Sequence, residues 1–411
     1  PPRRVGWRLD VKMRIACIGC GGKGRGDIKG VSGEDIVALC DVDFDRARPM
    51  FESFPEARRY RDFRRMLTDM GDEIDAVVVS TPDHMHYAIA KMAIEMGKHA
   101  YVQKPLTHTV WEARDLAESA RRNGVVTQMG NQGHTNEGTR LVYEWVRSGA
   151  VGPVREVHLY TNRPIWPQGE DRPQETPDTP STLDWNLWLG TAEKRPYHPA
   201  YHPFKWRGWW EFGCGALGDM GCHIMDAAFW ALDLRAPEWI EATSDAPDPQ
   251  TTPTWSVVTY QFPARGSMPP VKVIWYDGDK KPPRPPQLEE GRDLPSGSGQ
   301  LIVGDKATIM GNTYCSSVRI IPETLMREIG KPPKMVERVK GGPYQEWIRG
   351  CKGGPLPGSS FENHAAPLTE MVLLGNVAIR AGKRIRWDAR NMRVTNVPEA
   401  NDYLRHPYRV F

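Results

Sequence analysis

Short, continuous apolar runs that alternate with helix-like segments over the first 130 residues constrain the fold most strongly. Such runs without polar alternation are typical of strands that are buried on both faces. They lie at Met13–Ile18, Ile36–Cys40, Ala76–Ser80, Ala100–Val102 and Val125–Met129. Helix-like segments such as Tyr87–Met96 and Val110–Arg122 stand between them. This order predicts a parallel, doubly wound α/β sheet with right-handed crossovers.

After about residue 135 the pattern changes to longer segments in which apolar and polar residues alternate. A predicted helix at 136–148 precedes the alternating run Val154–Tyr160. Further candidate strands are Trp255–Phe262, Val271–Tyr276, Gln300–Val303, Ala307–Met310 and Ser317–Ile321, followed by a last helix at Pro367–Ala381. Period-2 alternation favours a large, mostly antiparallel sheet that is open on one face.

We therefore predict an α/β chain of two domains. The doubly wound domain covers residues 1–135, and an α+β domain covers residues 136–411. A segment at about 279–299, rich in Pro, Gly and charge, is expected to be an exposed insertion loop.

Composition excludes several classes of protein. The net charge is +3, which gives no electrostatic case for a nucleic-acid partner. The seven cysteines are an odd number and include a single CxxC pair, Cys17 and Cys20, which argues against a disulfide framework and a zinc ribbon. The sequence contains no run of about 18 apolar residues, so no membrane span is predicted. Arg3 and Arg4 have no apolar stretch behind them, so we expect an ordinary basic leader strand rather than a targeting remnant.

A glycine-rich turn follows the first apolar run directly. It reads Gly19-Cys20-Gly21-Gly22-Lys23-Gly24 and matches GxGxxG in the context that a dinucleotide site requires. Gly19 permits the tight turn, Gly21 allows a pyrophosphate to approach the backbone, and Gly24 allows close packing of helix on strand. We expect Gly19, Gly21, Gly22 and Gly24 to bind the cofactor at the helix N-terminus.

The second apolar run ends in Asp41, where a carboxylate is expected to bind the adenosine ribose. No arginine stands at positions 42–45 to neutralise a 2′-phosphate. The pattern therefore favours NAD over NADP.

Three further motifs resemble the glucose–fructose oxidoreductase / inositol dehydrogenase / MocA (Gfo/Idh/MocA) family. They are Thr81-Pro82-Asp83-His84-Met85-His86, Gln103-Lys104-Pro105 and Asp219-Met220-Gly221-Cys222-His223-Ile224-Met225-Asp226. The resemblance runs in order from about Met13 to Asp388, and Gln103 departs from the glutamate that most members carry. It implies a Rossmann domain followed by an open-sheet α/β domain.

The resemblance implies that Lys104, Asp219 and His223 are the catalytic group. The chemistry agrees, because oxidation of a sugar hydroxyl needs a base for its proton, and an imidazole suits that task. Asp219 and His223 are four residues apart, so on a helix they share a face. Lys104 follows a buried strand at the end where α/β ligands bind, so it can share the proton.

The other cofactor contacts are implied by position. Thr81 and Pro82 follow the apolar run Ala76–Ser80, Lys104 follows Ala100–Val102, and Asn131 follows Val125–Met129. In the family these runs are the fourth, fifth and sixth strands, and all four residues are expected at the cofactor. His86 is expected near the nicotinamide ribose, although capping or packing explains it as well. No metal site is expected, because the histidines lack ligand spacing.

The second domain is rich in tryptophan ahead of the catalytic motif. Apolar sugar faces stack on rings while hydroxyls take hydrogen bonds from basic side chains. We expect Arg163, His202 and Lys205, together with Asp219 and His223, to bind a carbohydrate substrate.

Three functions remain open at this point. The first is net NAD-dependent oxidation of a sugar, glycoside or cyclitol. The second is glycoside hydrolysis through transient oxidation, as in the branch near glycoside hydrolase family 109. The third is a non-catalytic NAD-binding sensor, which the intact Lys104, Asp219 and His223 set disfavours.

The open sheet predicts a homodimer or homotetramer packed sheet to sheet. We expect a cytoplasmic location, or a periplasmic one had an export signal been cleaved.

Overall fold

The computed structural model describes residues 10–245 and 249–411. Arg3 and Arg4, and with them the expected leader strand, lie outside these residues. No helix in the described ranges is both long and apolar enough to cross a bilayer.

The first sheet is parallel, as the apolar runs predicted, and has six strands in the described residues. Its strands are β1 (Arg14–Ile18), β2 (Asp35–Cys40), β3 (Arg58–Tyr60), β4 (Ala76–Val79), β5 (His99–Val102) and β6 (Thr127–Met129), in the order β3-β2-β1-β4-β5-β6. The helices that follow these strands are α1 (Lys23–Gly30), α2 (Phe44–Ser53), α3 (Phe63–Met70), α4 (His86–Glu95), α5 (Val110–Asn123) and α6 (Glu137–Arg147). The chain order reverses between β1 and β4, and doubly wound folds bind ligands at that point.

Strand β3 was not predicted, for a physical reason. It lies at the sheet edge and pairs only with β2. Its three residues, Arg-Arg-Tyr, are exposed or half-buried, so it has no apolar run to reveal it.

The second sheet has nine strands in the order β13-β12-β11-β7-β10-β9-β8-β14-β15. They are β7 (Val154–Thr161), β8 (Trp239–Ser244), β9 (Ser256–Phe262), β10 (Val271–Tyr276), β11 (Ser298–Gly304), β12 (Thr308–Asn312), β13 (Val318–Ile321), β14 (Ile385–Asp388) and β15 (Arg393–Val394). In the described residues β7 and β10 pair in parallel and the remaining pairs are antiparallel. The mostly antiparallel sheet was predicted, whereas β8, β14 and β15 were not.

Six further α-helices follow α6 in the described residues. They are α7 (Trp185–Leu189), α8 (Gly215–Ile224), α9 (Asp226–Ala231), α10 (Glu323–Ile329), α11 (Gly342–Cys351) and α12 (Ala366–Ala381). Helix α8 packs against α12 and against β7 and β11. The expected alternation is clear in β9, where every second residue is buried.

The insertion at 279–299 was expected to be an exposed loop, and that is wrong at Leu288. Leu288 is buried in a small apolar cluster with Leu301, Met310 and Ile321 of the second sheet. Glu289 fixes the loop by pairing with Arg319. The segment therefore covers part of the sheet face that strands β11 to β13 would otherwise leave open.

Helix α11 packs against the first sheet although it belongs to the last quarter of the chain. Trp347 of α11 is buried against Tyr101 of β5, with ring centroids 5.6 Å apart. The hydroxyl of Tyr344 donates to the carboxylate of Asp27 in α1 at 2.6 Å. The assignment of residues 136–411 to one second domain stays a prediction.

Candidate active site

A cavity of about 360 Å³ lies at the carboxyl ends of β1, β2, β4 and β5. Its lining combines residues at the strand ends of the first sheet with residues of the segments that pack around the second sheet. Both parts of the chain therefore form its walls. One wall is the glycine turn, and the opposite wall carries residues of α8 and of the aromatic segment 202–207.

The glycine turn has a backbone that other residues could not adopt without strain. Gly19 has φ +88°, and a Cβ added there would lie 2.5 Å from the carbonyl oxygen of Ser80. A Cβ on Gly24 would lie 2.0 Å from the carbonyl oxygen of Gly19. Gly19, Gly21 and Gly22 line the cavity, whereas Gly24 supports the turn from behind it. The closely packed turn leaves the backbone of α1's first residues open to a ligand.

Asp41 lines the same end of the cavity and is held in place by the main chain. Its carboxylate accepts the N–H of Cys20 at 2.8 Å and the N–H of Asp43 at 2.9 Å. Burial raises the pKa of Asp41, and these two hydrogen bonds oppose that shift. The carboxylate is therefore fixed beside the glycine turn, where a ribose hydroxyl could reach its free lone pairs.

Arg46 of α2 lines the cavity at the glycine turn and was missed in the sequence. Its guanidinium lies 3.1–3.2 Å from where a Cβ on Gly21 would be. The sequence argument considered only positions 42–45, and one helical turn carries this side chain back to the glycines.

Lys104, Asp219 and His223 meet in the other end of the cavity. The Lys104 ammonium contacts the main-chain carbonyl oxygen of Asp219 and lies 3.1 Å from its Oδ1. Both Asp219 and His223 stand on α8, as their spacing predicted. Thus the strand end of β5 and the helix α8 are joined through an ion pair at the cavity wall.

His223 is a neutral base in this environment. Burial, with a smaller contribution from the positive charge of Lys104, lowers the pKa of His223 to about 3. The carboxylates of Asp219 and Asp226 act in the opposite direction but do not outweigh these two effects. Its Nδ1 is buried and has no hydrogen-bond partner among the described residues. The ring packs edge to face on Tyr314, with centroids 4.9 Å apart. Nε2 is therefore the nitrogen left to act on a ligand in the cavity.

Two arginines flank the carboxylate of Asp219. Arg207 Nε lies 3.4 Å from Oδ1, and Arg163 Nε lies 3.9 Å from Oδ2. Burial acts to raise the pKa of Asp219, but Lys104 and Arg207 together hold it below its ordinary value. Asp219 therefore stays ionised.

Most of the residues singled out in the sequence line this one cavity. They are Gly19, Gly21, Gly22, Asp41, Thr81, Pro82, Lys104, Arg163, His202, Asp219 and His223. Four others, Gly24, His86, Asn131 and Lys205, are not among the residues that line it.

The structure places His86, Asn131 and Lys205 in other surroundings than expected. The ring nitrogens of His86 lie 2.8 Å from the carbonyl oxygen of Pro105 and 2.9 Å from that of Thr81, so the ring bridges two turns. Asn131 accepts a hydrogen bond from the hydroxyl of Ser359. Lys205 is exposed.

His202 lines the cavity, but its Nε2 is already bonded to Asp43 at 2.7 Å. The ring also packs against Trp188, with centroids 5.8 Å apart. The contact joins the aromatic segment to the cap of α2, which Asp43 provides.

Gln132, which follows β6 beside Asn131 and was with it a candidate amide contact, lines the cavity. The lining residues that sequence reasoning missed include Asp83, Arg207 and Tyr314. Burial raises the pKa of Asp83 to about 7 despite the nearby charges of Arg207 and Lys104. Asp83 stood inside the Thr81–His86 motif and could have been noticed there. Tyr314 comes from the loop between β12 and β13, and nothing in its local sequence marks it.

A second group of histidines and a carboxylate lies outside the cavity lining. His134 Nδ1 donates to Asp226 at 3.0 Å, and His364 Nε2 contacts the same carboxylate. All three side chains are buried. These two histidines hold the pKa of Asp226 far below its ordinary value, against the effect of burial.

Two parts of the chain match the sequence patterns of one oxidoreductase family. Residues 13–131 match its NAD-binding Rossmann fold, and residues 154–288 match its C-terminal α/β domain. Together these regions cover well over half of the chain.

Curated relatives include two enzymes. One is a D-apiose dehydrogenase of Paraburkholderia graminis, 31% identical over 34% of this chain and 38% of that protein. The other is a glycosyl hydrolase family 109 protein of Shewanella pealeana, 31% identical over 34% of this chain and 33% of that protein. The matches thus span little more than a third of these relatives' length.

Among solved structures, the WlbA dehydrogenase from Bordetella pertussis, in complex with NADH and UDP-GlcNAcA, has a similar fold. The TM-score is 0.65 at 17% identity, over 92% of this chain and 99% of that one. The two matched domains, in this order and with this fold, show that the chain belongs to the Gfo/Idh/MocA oxidoreductase family and has an NAD-binding Rossmann fold.

Proposed function

We propose that this protein is an NAD-dependent dehydrogenase that oxidises a hydroxyl group of a sugar, glycoside or cyclitol. The observation that carries the proposal is the meeting of Lys104, Asp219 and His223 in the cavity that the glycine turn lines. The similarity to a D-apiose dehydrogenase supports net oxidation.

The residues present fit a dinucleotide. A Cβ at Gly19 or Gly24 would clash with the main chain, so the turn is built for close approach. Arg46 stands where it could meet a pyrophosphate, and the Asp41 carboxylate would repel a 2′-phosphate while accepting ribose hydroxyls. The pyrophosphate is common to NAD and NADP, so of these two positions Asp41 is the one that supports NAD.

The chain's own side chains supply the proton chemistry. We propose that His223 Nε2 takes the hydroxyl proton, since the imidazole is neutral and can act as a base. Lys104 has three N–H bonds and gives two contacts to Asp219, so one remains to polarise the substrate oxygen. When bound, NAD⁺ would accept the hydride that leaves the carbon bearing the oxidised hydroxyl group.

Asp219 positions the other two groups. Its carboxylate and main-chain oxygen hold the lysine at the end of β5, and its charge favours the imidazolium that forms at His223. The released hydride and proton account for both electrons and both hydrogens of the oxidised carbinol.

One specific observation favours a second function, a glycosidase that uses NAD transiently. It is the similarity to a glycosyl hydrolase family 109 protein over the same share of the chain. In that case oxidation acidifies the neighbouring C–H, the aglycone is eliminated, water adds, and the ring is reduced again. The same His223 and Lys104 would serve the oxidation and reduction steps.

The experiment follows NADH absorbance and nitrophenol release together on nitrophenyl glycosides and free sugars. NADH that accumulates in proportion to oxidised product, without nitrophenol, supports the dehydrogenase. Nitrophenol released over many turnovers without NADH supports the glycosidase and overturns the first proposal.

Assembly and location remain predictions of the sequence. A homodimer or homotetramer through the open second sheet agrees with the half-buried outward residues of β9. A cytoplasmic location is the expectation that the sequence favours over a periplasmic one.

A further inference from the structure

Positive charge is in excess where the proposed chemistry takes place. We call this part of the cavity the catalytic end; its ionisable lining residues are Asp83, Lys104, Arg163, Arg207, Asp219 and His223. Three of them are basic side chains with an ammonium or guanidinium group, and His223 is neutral because its pKa is about 3.

The acids do not balance these cations. Asp219 is a single carboxylate that faces Lys104, Arg207 and Arg163 at 3.1, 3.4 and 3.9 Å. Asp83 is buried and carries only part of a charge near neutrality, since burial raises its pKa to about 7. The catalytic end therefore has a surplus of one to two positive charges in a partly desolvated place.

Both arginines have N–H groups to spare. Arg163 gives Nη1 to Asn162 Oδ1 at 2.9 Å, and its Nε is too far from Asp219 for a hydrogen bond. Arg207 gives Nη1 to the carbonyl oxygen of Phe204 at 3.1 Å. Neither Nη2 has a hydrogen-bond partner among the described residues. Two guanidinium groups thus line one cavity wall with donors unused.

The guanidinium of Arg207 is also held in orientation. It lies over the rings of Trp206 and Phe204, at 4.3 and 4.5 Å from their centroids. Stacking of this kind fixes the plane of the donor fork, so less freedom is lost when it binds an oxyanion. The same two rings line the cavity, where a sugar face could lie.

Uncompensated charge in a partly buried site costs free energy, and a ligand of opposite charge removes that cost. A single arginine binds a carboxylate or phosphate through two parallel hydrogen bonds, and a sulfate offers similar oxygens. We propose that the sugar oxidised here carries an anionic group, and that Arg163 and Arg207 bind it. This rests on the proposed dehydrogenase function and narrows its substrate to acidic sugars.

The test compares paired substrates with NAD and the intact chain. The probes are methyl β-D-glucuronide, glucose 6-sulfate and glucose 6-phosphate, each against methyl β-D-glucoside or glucose. We expect kcat/KM for at least one anionic probe to exceed its neutral counterpart by about 100-fold, the equivalent of one strong charge-assisted bond. The three arms separate a carboxylate from a sulfate or a phosphate.

Variants show whether the two arginines cause the preference. Arg163→Gln and Arg207→Gln should each lower the ratio of kcat/KM for the anionic probe to kcat/KM for its neutral counterpart about 100-fold, whatever the variant does to turnover of the neutral probe. Arg327→Gln is the matched control, because Arg327 is 79% exposed on α10 and does not line the cavity. Equal losses on both probes, or a preference for the neutral one, would overturn the proposal.

Binding separates this proposal from the function it rests on. Calorimetric titration of the NADH-bound protein with each probe measures recognition without turnover. Saturable binding of an anionic probe that weakens in both arginine variants, with no NADH formed in any assay, supports the acidic ligand and rejects the dehydrogenase. No binding of any anionic probe, with neutral sugars oxidised, rejects the acidic ligand alone. If every probe fails in both assays, both proposals fall.

Discussion

The carboxylates of two histidine–carboxylate groups, Asp219 and Asp226, lie on the consecutive helices α8 and α9 and face different surroundings. His223 and Asp219 line the cavity beside three basic side chains, and His223 Nδ1 has no hydrogen-bond partner in the part of the chain that the structure describes. Asp226, three residues after His223, accepts from His134 and contacts His364 in the buried interior. Both groups combine histidine with aspartate, but the interior group is fully buried whereas Asp219 of the cavity group is half-buried.

The difference is in which hydrogen bonds are satisfied. In the interior group each histidine gives one N–H to a single carboxylate, so the acceptor oxygens of that carboxylate are satisfied within the protein. In the cavity group a neutral imidazole and the third N–H of an ammonium are left over. Unspent hydrogen-bonding capacity in a cavity is what a reaction needs, whereas a satisfied cluster stabilises the fold. The comparison therefore predicts opposite responses to similar substitutions.

The largest expected effect is the loss of turnover in His223→Asn. Removing the proposed base should lower kcat about 10²- to 10⁴-fold, since general-base catalysis contributes that much. Thermal stability should hardly change, because the imidazole makes no hydrogen bond through Nδ1. Steady-state kinetics beside a melting curve measures both, and a folded variant with unchanged kcat on a proven substrate removes His223 from the mechanism.

The opposite response is expected for Asp226→Asn. Asparagine is uncharged and has one acceptor oxygen in place of the two oxygens of the carboxylate that the histidines contact. The free energy of unfolding should therefore fall by about 3–5 kcal/mol. Urea unfolding measures the loss. His134→Asn provides a partial version with a smaller loss. Should Asp226→Asn keep full stability but lose turnover, the two groups would have exchanged roles.

Both groups should make the protein sensitive to acid. The pKa of His223 and that of His364 are lowered, chiefly by burial, so both stay neutral in the folded state below the ordinary histidine value of about 6.5. The unfolded chain takes up those protons first, so stability is lost as pH falls below about 6.5. Between pH 7 and 5.5 we expect a loss of about 1 kcal/mol from His223, and the lowered pKa of His364 adds to it in the same direction.

Urea midpoints at the two pH values check this prediction. His223→Asn should show a shallower loss between them than the unaltered protein. A protein that becomes more stable on acidification would show that the histidines gain protons on folding.

The smallest effect is expected from metal removal. The ligand atoms of His134, Asp226 and His364 lie within 4.8 Å of one another, but hydrogen bonds already join them. Dialysis against EDTA should leave the melting temperature and the activity unchanged. A fall in melting temperature that zinc alone reverses would turn the interior group into a metal site.

Much of the fold could be predicted because local sequence carries it. The buried strands β1, β2, β4, β5 and β6 have apolar runs, and the glycine spacing marks the turn. Strand β3 has no such run, since it lies at the edge, and β14 and β15 are too short to show alternation. Leu288 was assigned to a solvated loop, because the neighbouring sequence gives no sign that strands β11 to β13 pack against it.

Part of the site was also legible from spacing. Asp219 and His223 had to share a helix face, and Lys104 had to follow a strand end. Spacing could not tell which of Lys205 and Arg207 lies in the cavity. They lie two apart in a 3-10 turn, and only its packing exposes Lys205 and brings Arg207 to Asp219.

By itself the sequence determined the local elements, the dinucleotide turn and the one-face placement of Asp219 with His223, because these depend on residues near in the chain. Only the tertiary structure decided which ionisable groups share a cavity. Tyr314, Arg163 and Lys104 come together across more than 200 residues, and whether a histidine is satisfied or left open depends on those distant partners. Electrostatics and burial act through space, so chain distance does not reveal them.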